Sequence, residues 1–214
     1  GNQMTSNYAW HLTTAVAFPF RDDFNGNMSP DWRITNSDTS KYNLTEKEGN
    51  LRIYTTNTDI RGTSNNLTNL FAVPLPSVSG PLVVTVKLSF PTPPSQNSQQ
   101  GGIILYADSA GQPDMDNYVR IGYHYDSDGG PYLHLIQETA GTPEAVISTP
   151  INIGLNPVWL RLIKSGSEYS AYYSLDGITF IRYAGPVIFS PSVAYAGLFA
   201  MNGYLASADS IPVD

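Results

Sequence analysis

The sequence predicts an all-β fold, a two-sheet antiparallel sandwich with jelly-roll connectivity, and three observations predict it. Residues 101–125 and 158–180 each read as strand, polar turn and strand, with aromatic and basic side chains spaced two apart. Alternation at period two marks an antiparallel sheet with one buried face. Eighteen glycines and sixteen prolines punctuate the whole chain, and the apolar segments between them are β-branched or aromatic, so no helix is expected.

The elements follow in order. Residues 81–90 form the clearest strand: Leu82, Val84, Val86, Leu88 and Phe90 share one face, and Val83, Thr85, Lys87 and Ser89 the other. Residues 101–107 are apolar enough for an interior strand. Strands at 116–125, 132–138, 158–164 and 168–174 follow, each closed by a turn with a physical basis. Asp128-Gly129-Gly130 and Asp176-Gly177 supply the positive φ angles that tight hairpins need, and Lys164-Ser165-Gly166-Ser167 joins two strands in the same way. Residues 91–100 read as a solvated loop. Residues 20–24 and 211–214 are expected to pair as neighbouring strands. Roughly fourteen short strands at hairpin spacing give one sandwich domain, residues 20–214, behind an N-terminal extension, residues 1–19. The last strand is cut short, which points to a domain of a longer polypeptide.

Composition excludes several function classes. The net charge of −7 comes with only eleven scattered Lys and Arg, so no basic patch for nucleic acid is expected. No apolar run approaches the ~20 residues that span a bilayer. There is no cysteine, hence no disulfide or thiolate metal site. A charged fraction of 14% leaves a surface of Ser, Thr, Asn, Gln and Tyr. That surface suits a secreted, periplasmic or cell-surface protein meeting neutral polar ligands. No signal peptide is present, and Gly1-Asn2-Gln3-Met4 reads as a processed or engineered start. The sequons at Asn27, Asn43 and Asn66 read as chance products of an Asn/Thr-rich chain.

Further residues carry a family resemblance. Phe20-Arg21-Asp22-Asp23-Phe24-Asn25-Gly26, Asp31-Trp32, Gly49-Asn50-Leu51-Arg52-Ile53 and Asn66-Leu67-Thr68-Asn69-Leu70-Phe71 are followed by Gln100-Gly101-Gly102-Ile103-Ile104-Leu105-Tyr106. Asn117-Tyr118-Val119-Arg120, Trp159-Leu160-Arg161-Leu162 and Tyr173-Ser174-Leu175-Asp176-Gly177 complete the pattern. Together they resemble the concanavalin A-like domains attached to bacterial glycoside hydrolases. The C-terminal sandwich of family 43 β-xylosidases and arabinofuranosidases is one such domain, and the sandwich named for regulation of enolase protein 1 is another. The resemblance implies a jelly roll whose concave sheet is the ligand face. Residues 109–115 depart from it, as an insertion where such domains turn tightly.

The candidate site is a polar row. Tyr118, Arg120 and His124 share one face of their strand, Tyr132 and His134 one face of the next, and Trp159 and Arg161 one face of a third. If these strands are neighbours, the outward set is a patch of rings and donors of the kind that binds sugars. Tyr–Arg packing that only covers a solvated sheet is the competing reading. Asp22, Asp23 and Asn25 offer hard oxygens for a structural Ca²⁺, with Asp209 or Asp214 as a further ligand, against a purely local role for Asp23. No other cofactor is expected. Catalysis by a carboxyl pair finds little material: five glutamates, none in an E-x-D-x-x-E pattern, and Asp126 with Asp128 in a turn. The readings are therefore an accessory, carbohydrate-binding domain partnered with a catalytic module, a free-standing glycoside hydrolase, or a docking domain without ligand.

Overall fold

The computed structural model describes residues 20–76, 80–203 and 208–214; the N-terminal extension lies outside the described residues. Fourteen strands are present among the described residues, and the only helical element is a 3-10 turn at Thr39–Lys41. In chain order they are β1 (Arg33–Thr35), β2 (Tyr42–Asn43), β3 (Arg52–Tyr54), β4 (Leu70–Pro74), β5 (Leu82–Leu88), β6 (Gln100–Ser109) and β7 (Gln112–Asp126). Then come β8 (Gly130–Thr139), β9 (Thr142–Pro150), β10 (Val158–Ser165), β11 (Glu168–Ser174), β12 (Ile181–Ile188), β13 (Val193–Met201) and β14 (Pro212–Val213).

They assemble into a seven-stranded sheet, β1-β4-β13-β6-β7-β8-β9, and a four-stranded sheet, β12-β11-β10-β5, with a small β14-β3-β2 sheet beside them. Every pairing is antiparallel. Local hairpins make β6–β7–β8–β9 and β10–β11–β12. The contacts β13–β6, β13–β4 and β10–β5 join strands far apart in sequence and close the sandwich.

The core between the sheets follows the predicted alternation. Leu82 and Leu88 of β5, Val119, Ile121 and Tyr123 of β7, and Leu160 and Leu162 of β10 meet in one apolar cluster. A second cluster lies on the opposite face of the seven-stranded sheet. There Ile60 and Leu67, from the irregular segment after β3, pack on Ile104, Tyr106, Tyr118 and Phe199. Both faces of the large sheet are therefore covered over its centre. Close strand approach at that centre depends on glycine: Gly102 of β6 pairs with Gly122 of β7, and a Cβ on Gly102 would sit 2.0 Å from the Ile121 carbonyl oxygen.

Two expectations are corrected here. Residues 20–24 form no strand. It is β14 that pairs with β3, while Asp214 exchanges backbone hydrogen bonds with Ser89 at 2.8 and 2.9 Å. Nor does the insertion at residues 109–115 replace the tight turn. Asp114 pairs with Ala107, Pro113 with Asp108 and Gln112 with Ser109, so it extends the β6–β7 hairpin. The turn is Ala110-Gly111, both at positive φ, as a two-residue hairpin demands.

Candidate functional site

Five of the seven residues of the polar row share one face of the large sheet, yet the row is neither continuous nor open. Tyr118, Arg120 and His124 of β7 stand beside Tyr132 and His134 of β8, as expected of paired strands. The segment that carries Ile60 and Leu67 roofs this face, so Tyr118 is fully buried and Arg120 and His134 are 4% and 7% exposed. The chain conceals the face because Ile60 and Leu67 need burial as much as the rings beneath them do. His124 and Tyr132, toward the β7–β8 turn, are half-buried.

Trp159 and Arg161 do not join this set. Their strand, β10, belongs to the four-stranded sheet, where they face away from the core. A Cβ on Gly177 would touch the Trp159 ring at 2.9 Å, so the 175–177 turn already lies on the indole, and Lys87 Nζ stands 5.2 Å from the ring centroid. Arg161 stacks on Phe180, 3.4 Å from its centroid, and donates to Thr85 Oγ1 at 3.0 Å.

Beneath the roof the polar groups satisfy one another. Tyr118 donates to Glu138 Oε2 at 3.1 Å, and the Gly62 amide, from the roof, reaches the Glu138 carboxylate at 2.9 and 3.1 Å. Burial pushes the Glu138 carboxyl above its usual range, against those hydrogen bonds. Arg120 bonds Gln100 through Nη1 and lies over the Phe199 ring at 5.2 Å. His124 Nδ1 faces the two ring nitrogens of His134 at 3.0 and 3.2 Å. Burial, then the His134 and Arg120 charges, hold His124 down at about 3. Burial and then Arg120 hold His134 at about 4. Both imidazoles are thus neutral at pH 7, and one donates to the other.

Glu138 and Gln100 escaped the sequence reading. Glu138 shares the parity of Tyr132 and His134, and that signal was present. Gln100 opposes His124 across β6–β7, a register no single sequence displays.

Chemically the arrangement offers one carboxylate whose oxygens are occupied by Gly62 and Tyr118. Glycoside hydrolysis needs a second carboxyl across a cleft, ~5–9 Å away. The carboxylate whose charge reaches Glu138 is Asp116, which is itself held by Asn65 Nδ2 at 2.5 Å. The proposed cation ligands are also dispersed. Asp22 accepts from Phe24 N (2.9 Å), Ser29 N (2.8 Å) and Trp32 Nε1 (2.8 Å), tying together the segment that carries the aromatic Phe20–Trp32–Phe24 cluster. Asp23 pairs with Arg21 at 2.8 Å, and Asp214 with Arg52 and Lys47. Among the described residues no three carboxylates or imidazoles gather as a metal site. Asp22 is a staple: Asp22→Ala is expected to lose about 2 kcal/mol in urea unfolding, equally in EDTA and in millimolar Ca²⁺.

Comparison with known proteins agrees with the fold. Residues 21–204 match the family model of the β-xylosidase C-terminal concanavalin A-like domain of family 43. No curated protein matches the chain by sequence. The family 43 protein BlXynB from Bacillus licheniformis superposes with a TM-score of 0.75 at 22% identity, over 90% of this chain and 37% of that one. The xylan β-1,4-xylosidase from Bacillus halodurans gives 0.70 at 17% identity, over 92% and 39%. A functionally unknown protein from Saccharomyces cerevisiae gives 0.62 at 16%, over 86% and 91%. The chain thus spans well under half of the two bacterial proteins it resembles.

Proposed function

This chain belongs to the family of β-xylosidase C-terminal concanavalin A-like domains, accessory domains of family 43 xylosidases, and we propose from that premise that it works by packing against a catalytic module. In this reading it neither cleaves nor captures sugar alone, and its setting is secreted or periplasmic. The observation that carries it is the roofed sheet: the face that would hold a glycan has Tyr118 at 0% and Arg120 at 4% exposure, under residues of the chain itself. A sugar ring needs an open aromatic face on which to stack, and the row presents none at its centre.

The test is a pair of titrations on the isolated chain. Xylo-oligosaccharides up to the hexaose are expected to give no saturable heat at millimolar concentration. The family 43 catalytic module encoded in the same gene or beside it, produced without a sandwich, is expected to co-elute with the chain and to raise its Tm. Saturable xylo-oligosaccharide binding abolished by Arg120→Ala, with no co-elution, would replace this reading by the carbohydrate-binding one.

A further inference from the structure

The outer face of the four-stranded sheet has no cover among the described residues, and its composition is unusual for this chain. Across β5, β10, β11 and β12 run two ladders, Lys87–Trp159–Ser174 and Thr85–Arg161–Tyr172–Arg182. Lys87, Arg161 and Arg182 thereby stand on one surface, and none of the three has an ion-pair partner among the described residues. The protein carries a net charge of −7. Yet the four strands of this sheet hold four basic residues and one acidic, Glu168 at the far end. Those of the seven-stranded sheet hold two basic and six acidic. The sandwich is electrically polarised: its strand carboxylates lie mostly on the large sheet, and Lys87, Arg161 and Arg182 share the uncovered face of the small one.

Exposed aliphatic side chains flank this surface. Ile178, 85% exposed, follows Gly177 on the turn that lies on Trp159. Val83, 47%, shares the outer face of β5 with Lys87, and Ile188, 56%, stands opposite Glu168. The Ile178 turn is rigidly set. Asp176 Oδ1 accepts from Ser174 Oγ at 2.7 Å, Ile178 N at 2.8 Å and Thr179 N at 2.7 Å, which fixes the turn. Exposed aliphatics beside unpaired cations are a composition that protein interfaces bury.

We infer that this outer face, centred on Arg161 and flanked by Arg182, Lys87 and Ile178, is the surface that docks on a protein partner presenting an apolar centre rimmed by Asp and Glu. The inference rests on the docking role proposed above and identifies that partner surface with the family 43 catalytic module. Charge complementarity selects an acidic rim, because three cations left without partners gain Coulomb energy and on-rate from carboxylates. The ring faces argue for protein over glycan. Trp159 is taken by Lys87 and the Gly177 turn, and Phe180 by Arg161, so two of the three rings on this surface are already covered while guanidinium edges stay available.

The test measures affinity of the full chain for the catalytic module by titration calorimetry, at low and high salt. Arg161→Glu/Arg182→Glu is compared with wild type, and so is Ile178→Ser, whose side chain is exposed enough to leave folding intact. Expected are a loss of at least tenfold in each variant, unchanged melting of the free chain, and wild-type affinity falling with salt. If wild type binds and both variants bind within twofold of it, docking stands but uses another face, and the inference fails alone. Absence of wild-type association removes the docking role itself. Polygalacturonate is the third probe: binding that the Arg variants abolish, without module binding, would overturn the inference in favour of an acidic glycan.

Discussion

Asp214→Ala is expected to lower the stability of the chain by about 3 kcal/mol, with a fall in Tm of roughly 6–12 °C. The Asp214 side chain has no exposed surface, yet it faces two cations. Arg52 donates to it through Nε at 2.6 Å and Nη2 at 3.0 Å, and Lys47 Nζ lies 3.0 Å away. Burial by itself would raise its pKa, but the hydrogen bonds from Arg52 and Lys47 outweigh that and hold the carboxyl below its usual value. The ion pair bonds β3 to the end of the chain, beside the backbone exchange of Asp214 with Ser89 just after β5. It thus fastens the small sheet to the sandwich rim.

Removing the carboxylate leaves the Arg52 guanidinium, 17% exposed, with Glu46 as its remaining anion at 3.0 Å. That residual pair keeps the cost at the low end of the range for breaking a buried ion pair. Arg52→Ala is expected to cost a similar amount, because it strands a buried carboxylate with Lys47 alone. A double-mutant cycle by urea unfolding should return a coupling energy of about 1–3 kcal/mol. A loss below about 0.5 kcal/mol for Asp214→Ala would show that solvent already screens the pair.

How much of this was legible in the sequence differs from element to element. The two-residue period of β5, β7 and β10 placed Leu82, Val119 and Leu160 in the core, because one buried face leaves a local imprint. Glycine turns at Gly130, Gly166 and Gly177 were equally readable, since a positive φ is demanded by a handful of adjacent atoms. Period two, however, separates two faces without saying which meets water. On β7 both faces were aromatic, and the roof over Tyr118 and Arg120 comes from residues some fifty positions earlier, a segment with no strand signal. Sheet membership was hidden for the same reason. β10 pairs with β5, more than seventy residues away, so its placement opposite β7 instead of beside it depends on contacts that leave no local pattern. Trp159 and Arg161 were misplaced with it. Asp22 looked like a metal ligand because carboxylates suited to N–H donors and to cations are the same residues.

Acidification from pH 7.5 to pH 5.0 is expected to remove about 4 kcal/mol of stability through His124 and His134, a Tm shift of roughly 8–16 °C. The sign follows from the direction of both shifts. In the folded chain the imidazoles titrate at about 3 and about 4, below the 6.5 of an unfolded histidine. Between pH 6.5 and about 4 the unfolded chain therefore binds protons that the folded chain refuses, and stability falls as pH falls. At pH 5.0 each imidazole has forgone about 2 kcal/mol of protonation free energy. Their environment explains the refusal. Burial is the largest cause; Arg120 and Arg61 add positive potential at His134 that Asp126 only partly counters, and protons on both rings would set N–H against N–H across the 3.0 Å contact. Glu138 works in the opposite direction: its folded pKa is raised, so its contribution grows on acidification and trims the loss. Replacing both histidines by glutamine keeps hydrogen-bonding capacity without the titration, and should flatten the urea midpoint between pH 7.5 and 5.0. Two-dimensional NMR titration gives a direct check, with both rings expected to stay neutral at pH 5.0. An imidazole titrating near 6.5 in the folded chain would mean that the roof of Ile60 and Leu67 admits water freely, and would reopen that face as a binding surface.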